Sequence, residues 1–521
     1  MEGLKKMGMT QTIALIALGL FFLVMVLIGV RTSKQAKSMS GFLLGGRKIG
    51  PWMSAFAYGT TYFSAVIFIG YAGNTGWNVG IGGIFIGLGN AILGSMLAWI
   101  VLAKRTRNMT HNLSSSTMPE FFSARYESKN MKIYAALIIF IFLVPYAATV
   151  YKGLGYLFGK IFPFFDGLIP GISSDIYCML FIAILTSIYL VLGGYVATIV
   201  TDFVQGIIMI FGVIVMVSII IANPTVGGLS NGFKQLADIN PELIKITGGS
   251  KFNYLMMNVL LTSFGTWGLP QMVHKFYAIK DEKSIKSATI ISTAFATIIG
   301  CGAYISGTFG RLYLNNTVPN GNFDAIIPEM LYKALSGNVF TNIVLAVILL
   351  LVLSASMSTL SSIVLTSSSA ITVDLAKELK PDLDKKKQMV YMRILCFVFV
   401  ALSFLFASMK IAFIMQLMSF SWGIVAGSFI GPFMWGLYSK KITRAGAWAG
   451  MLSGLVIVGG ATAIFGFEWA KTMSQNLGVT AMAVSVVITP LVSLFTRKYS
   501  ESHINNVFVK NVEIKEEMIN S

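Results

Sequence analysis

Apolar residues in this chain do not alternate with polar ones. They gather into unbroken runs of helical length, such as 13–30, divided by short charged or Gly/Pro-rich breaks. An α-helix rises 1.5 Å per residue, so runs of about twenty residues cross the roughly 30 Å hydrocarbon core of a bilayer. The pattern predicts thirteen transmembrane helices, near 10–30, 51–76, 78–103, 131–162, 176–193, 198–221, 252–274, 286–310, 338–372, 388–408, 411–437, 444–466 and 478–496. The expected fold class is therefore all-α, in a polytopic membrane protein.

An odd number of spans places the termini on opposite sides, and basic residues then set the direction. With the N-terminus outside, the inner segments (Arg31 to Lys48, Lys104 to Lys132, Lys275 to Lys286, Lys377 to Arg393, Lys440 to Arg444 and the tail) hold 28 of the 39 Lys and Arg. This bias predicts an external N-terminus and a cytoplasmic tail in a cytoplasmic membrane. It also accounts for the net charge of +18 without a nucleic-acid partner, since basic loops face anionic lipid. Only 12% of residues are charged, about half the share of a soluble domain. The first run lacks a small-residue cleavage site and is flanked by Arg31, Lys34 and Lys37, so it is expected to be retained. Cys178, Cys301 and Cys396 are scattered singly and suggest neither disulfide nor metal. His111, His274 and His503 are isolated and receive no role.

Comparing the second to sixth spans with the seventh to eleventh reveals a parallel order. Each set starts with a Gly-interrupted helix and has a long third member, and five being odd, the sets cross in opposite directions. The expected organisation is an extra helix and loop in 1–50, a first five-helix repeat in 51–222, an outer loop in 223–251, an inverted repeat in 252–437, two extra helices in 438–496 and a tail in 497–521. Gly59 in the second span, with Gly265, Gly268 and Pro270 in the seventh, mark expected mid-membrane helix breaks. A single break of this kind is usually an ordinary kink; two at matching places suggest a binding site for a cation or polar solute.

Within the ninth span, Leu353-Ser354-Ala355-Ser356-Met357-Ser358-Thr359-Leu360-Ser361-Ser362 concentrates hydroxyls. Ala355, Ser358, Thr359 and Ser362 share one helix face, and neutral oxygens suit a monovalent cation that must bind and leave. Back-bonding to the helix itself is the plainer role for any one of them. Asp202 lies about one turn into the sixth span with no basic neighbour in sequence, and an intramembrane carboxylate is expected to be an ion ligand or proton site.

At these residues the chain resembles the sodium:solute symporter family over nearly its whole length. The resemblance rests on Gly45-Gly46-Arg47-Lys48-Ile49-Gly50-Pro51, Gly193-Gly194 followed by Thr201-Asp202-Phe203-Val204-Gln205, Gly268-Leu269-Pro270-Gln271, Met357 to Ser362, and Ser369-Ala370-Ile371-Thr372-Val373-Asp374. It implies a LeuT-type 5+5 inverted repeat and alternating access driven by Na+. It places one sodium on the carbonyls of Thr60, Phe63 and Ala355 and the hydroxyls of Ser358 and Thr359, and a second on Asp202, Ser358, Ser361 and Ser362. By position, Tyr62, Ser64, Tyr146 and Thr266 would line a pocket for a small organic solute: an amino acid such as proline, a carboxylate or vitamin, or a sugar. Tyr146 stands where sialic acid carriers of this family have an arginine, which argues against that solute, and Thr262 and Thr266 stand where proline carriers have aromatic residues. No metal-ligand cluster or catalytic triad suggests an enzyme. Proton coupling through Asp202 is the nearest alternative; a sensor or channel on a transporter core is a more distant one.

Overall fold

The computed structural model describes residues 8–508 apart from 33–42, 164–165, 167–168, 171, 336 and 381–383. Lys34, Lys37 and the last part of the expected tail, 509–521, therefore lie outside the described residues. Among the described residues there are helices and turns but no strand, with one isolated bridge between Ile49 and Ile279. Ten helical stretches among the described residues are long and apolar enough to cross a membrane.

The principal helices are α1 (Met9–Thr32), α2 (Pro51–Tyr62), α3 (Ala72–Val79), α4 (Lys129–Ile161), α5 (Ser174–Ala222), α6 (Phe252–Gly268), α7 (Pro270–Ala278), α8 (Glu282–Thr308), α9 (Val339–Ser369), α10 (Lys385–Ser408), α11 (Ile414–Tyr438), α12 (Arg444–Gly454) and α13 (Ser474–Leu494). The runs at 176–193 and 198–221 both fall within α5, whose 49 residues are more than a single crossing needs. One departure from the expected spans has a physical reason. The runs at 51–76 and 252–274 are each divided, so neither half of the second reaches spanning length. The count of thirteen separate helices accordingly does not reappear.

The two divided helices run in opposite senses. Ile49, just before α2, pairs with Ile279, just after α7: its N–H donates to the Ala278 carbonyl at 3.2 Å and its carbonyl accepts from Lys280 at 3.1 Å. The first therefore starts where the second ends, as an inverted repeat requires. Between α3 and the next run the chain turns at Gly80, whose φ of 55° brings it so close to the Leu243 carbonyl that a side chain there would collide.

Burial separates core from rim. In α9 and α11, 83% and 89% of the most apolar stretch is buried, against 28% in α1 and α10. Helix α9 packs against α1, α2, α4 and α5, and α11 against α4, α6, α12 and α13. Outward residues of α1 and α10, such as Leu20, Leu27, Phe397 and Leu405, are exposed and apolar, the surface expected where lipid replaces water.

Candidate ion and solute site

Helix α2 stops because Phe63 is extended, with φ −104° and ψ 115°. The interruption changes where nearby backbone groups find partners. Phe63 still donates to Gly59, but the Ala65 N–H goes to Ser356 Oγ at 3.2 Å and the Val66 N–H to Ser64 Oγ at 3.2 Å. The carbonyls of Thr60 and Thr61 thus lose their intrahelical donors inside a buried core, where an unmatched polar group is costly.

Their partners come from α9. Ser358 Oγ donates to the Thr60 carbonyl at 2.7 Å and lies 3.1 Å from that of Ala355. Thr359 Oγ1 lies 3.2, 3.1 and 3.0 Å from the carbonyls of Thr60, Thr61 and Ala355. Five oxygens from two helices therefore converge, all of them fully or almost fully buried with their residues. Each hydroxyl also carries lone pairs, so a cation entering the cluster can replace the protons as positive partner while the carbonyls keep their orientation. Neutral oxygens suit a hard monovalent ion. The structure brings Thr60, Ala355, Ser358 and Thr359 together and adds Thr61; Phe63 sits at the break itself.

The second divided helix breaks at Leu269, with φ −81° and ψ 121°, and Pro270 opens α7. A proline is well suited to a first helical position, since its missing N–H would have had no partner there. Gly59 and Gly265 lie inside α2 and α6. A side chain at Gly59 would strike the Phe295 ring, and one at Gly265 the Trp422 ring, so both sites admit close packing.

The four residues of the other expected ion site also lie near one another. Ser361 Oγ donates to the Ser358 carbonyl at 2.9 Å, and Ser362 Oγ is 2.9 Å from Thr61 Oγ1. Asp202 is completely buried, and Lys275 Nζ approaches its Oδ2 at 3.8 Å while donating to Ser362 Oγ at 3.0 Å. Counting Lys275 among the inner loop residues therefore needs correcting: it is 2% exposed, within α7. Charge alone cannot distinguish a loop lysine from one turned inward beside a distant carboxylate.

Beyond the Phe63–Ser64 break lies a tight cavity of about 20 Å³ whose walls include Tyr62, Ser64, Tyr146, Asn90, Thr262 and Trp422. Among the described residues no charged side chain lines it. The Tyr62 hydroxyl donates to the Thr262 carbonyl at 2.8 Å, tying the two divided helices together, and Thr262 Oγ1 donates to Asn90 Oδ1 at 2.8 Å. Trp422 meets Tyr146 edge to face at 5.5 Å. Three of the four expected pocket residues line this space. Thr266 does not; its hydroxyl lies within hydrogen-bond reach of Gly94 and Ser263, one turn beyond Thr262. Sequence reasoning missed Asn90 and Trp422. An amide in an apolar helix was the available signal for Asn90, whereas Trp422 looked like any other core aromatic.

Oppositely directed broken helices, freed carbonyls facing hydroxyls and an adjoining cavity define a secondary active transporter. Residues 42–454 match the sodium:solute symporter family, and the chain belongs to it. It is 29% identical over 495 residues to the osmoregulated proline transporter OpuE of Bacillus subtilis (strain 168), covering 93% of this chain and 95% of that one. It is 28% identical over 514 residues to a sodium/proline symporter of Staphylococcus aureus, covering 95% and 96%. In fold it matches a Na+-coupled sialic acid symporter in a substrate-bound outward-open state, with TM-score 0.74, 19% identity and coverage of 94% and 99%. A nucleobase-cation-symport-1 family transporter in a closed conformation matches with TM-score 0.54, 12% identity and coverage of 89% and 97%. The architecture is thus the LeuT-type fold, and the chain is a sodium-coupled solute symporter rather than an enzyme.

Proposed function

We propose that this symporter carries a small amino acid without a charged side chain, such as proline, together with sodium held by Thr60, Phe63, Ala355, Ser358 and Thr359. The observation that carries the ion assignment is the pair of carbonyls released at the α2 break and met by two hydroxyls of α9. The solute class is supported by an aromatic cavity without charged walls and by the two proline-carrying relatives. Tyr62 and Phe63 are adjacent in the chain and both line the cavity, and Phe63 is also the break, so ion and solute share one piece of backbone. Sodium that fixes the break organises the cavity, and the two ligands bind cooperatively. The N-terminus faces outward and the tail inward, as the basic residues direct.

The test is thermal stabilisation of the purified protein by proline, pantothenate, monocarboxylates and sugars, each in sodium and in potassium. Proline is expected to raise the melting temperature in sodium alone. Equal stabilisation in potassium would sink the ion assignment, and dependence on pH in place of sodium would favour proton coupling through Asp202.

A further inference from the structure

Asp202 presents an unusual account. Its side chain is fully buried, yet among the described residues neither carboxylate oxygen accepts a hydrogen bond. A buried anion in that condition calls for a cation nearby. The cation beside it is Lys275, 2% exposed, whose ammonium lies 3.8 Å from Asp202 Oδ2, 3.0 Å from Ser362 Oγ and 5.4 Å from the centre of the Tyr195 ring. These contacts put the ammonium between the acid of α5 and a hydroxyl of α9, where a free second cation would need to sit. A crevice bounded by Tyr195, Gln271, Lys275, Ser362 and Ser369 adjoins it.

We propose that the Lys275 ammonium is the resident cation of this second site and takes the place of a second sodium, so that the protein binds one sodium per chain. The proposal rests on sodium occupying the Ser358/Thr359 cluster. A tethered ammonium gives up no translational freedom on docking beside Asp202, so it holds an advantage over a free ion of equal charge. Its tether also gives it a mechanical role. Lys275 belongs to α7, whose end is fastened to the start of α2 by the Ile49–Ile279 bridge, while Ser362 lies 2.9 Å from Thr61, whose carbonyl belongs to the sodium cluster. The resident charge therefore joins α7 to the sodium-binding break without itself being transported.

Equilibrium binding of radioactive 22Na+ to the purified full-length protein reads the number directly. The wild type is expected to bind one sodium per chain, Lys275→Arg one, Lys275→Gln two, and Lys275→Gln/Asp202→Asn one again. At about ten times the wild-type Kd for sodium, Ser358→Ala should lower the occupancy of the wild-type site to about half. Two sodium ions on the wild type overturn the inference and leave the proposed function standing; no sodium at all removes both. One ion on a folded Lys275→Gln protein also overturns it. If that variant unfolds as readily in sodium as in potassium, the outcome counts against the inference too, because an open second site would have let sodium recover it.

Discussion

Two buried acid–lysine pairs mark opposite ends of the same helical core, and they are not built alike. Asp324 with Lys152 lies beyond α3, where the Phe323 carbonyl closely approaches Gly73; Asp202 with Lys275 lies near the start of α2. Asp324 accepts from the Ile414 N–H at 3.0 and 3.3 Å, at the first residue of α11, while Lys152 donates to the Ala412 carbonyl. Helix N-termini favour negative charge, so the carboxylate has a fixed place in addition to its lysine. Asp202 has Lys275 at 3.8 Å and, among the described residues, no hydrogen bond on either oxygen. Similar charges in similar burial can thus serve as a fully matched staple or as an incompletely matched site. The second arrangement leaves interaction energy available to an ion, and it is the one that adjoins the hydroxyl cluster.

Breaking the staple should have the largest effect. Lys152→Ala leaves a buried carboxylate without its cation and should cost about 3–5 kcal/mol. Thermal unfolding should show that loss equally in sodium and in potassium; a sodium-dependent cost would erase the distinction between the two ends. At the other end, Lys275→Gln should be strongly destabilising in potassium, but sodium at about 100 times its Kd should restore about 2.7 kcal/mol. The same melting experiment in both salts checks this.

Smaller effects sharpen the comparison between ion cluster and cavity. Ser358→Ala should raise the sodium concentration for half-maximal uptake about tenfold, equivalent to about 1.4 kcal/mol, and leave solute affinity at saturating sodium nearly unchanged. An unaltered sodium dependence would remove Ser358 from the site. Trp422→Phe should weaken solute binding by about 1 kcal/mol through loss of the packed indole facing Tyr146, with the sodium requirement retained. Uptake measured across both solute and sodium concentration separates these two variants.

Much of the site was legible because its chemistry is local. The hydroxyl run at 354–362 shows its shared face through helical spacing alone, and Ser358 and Thr359 do meet the carbonyls near the first break. The exact place of each break was less legible. Glycines drew attention to 59 and 265, but those glycines accommodate Phe295 and Trp422, and the extended residues are Phe63 and Leu269. Backbone torsion there depends on what α9 offers the freed groups, which no local propensity records.

From the chain alone came the membrane class, the all-helical architecture, the inverted order of two halves and the hydroxyl face of α9 that meets the first break. These follow from hydrophobic length, charge placement and helical period, which neighbouring residues express. Tertiary structure decided that the divided helices break at Phe63 and Leu269, that Thr262 rather than Thr266 faces the cavity, and above all that Lys275 turns inward to Asp202. The two are 73 positions apart in sequence and 3.8 Å apart in space. Whether a basic residue marks a membrane surface or completes a buried site depends on what the fold brings beside it, and that is a property of packing across helices.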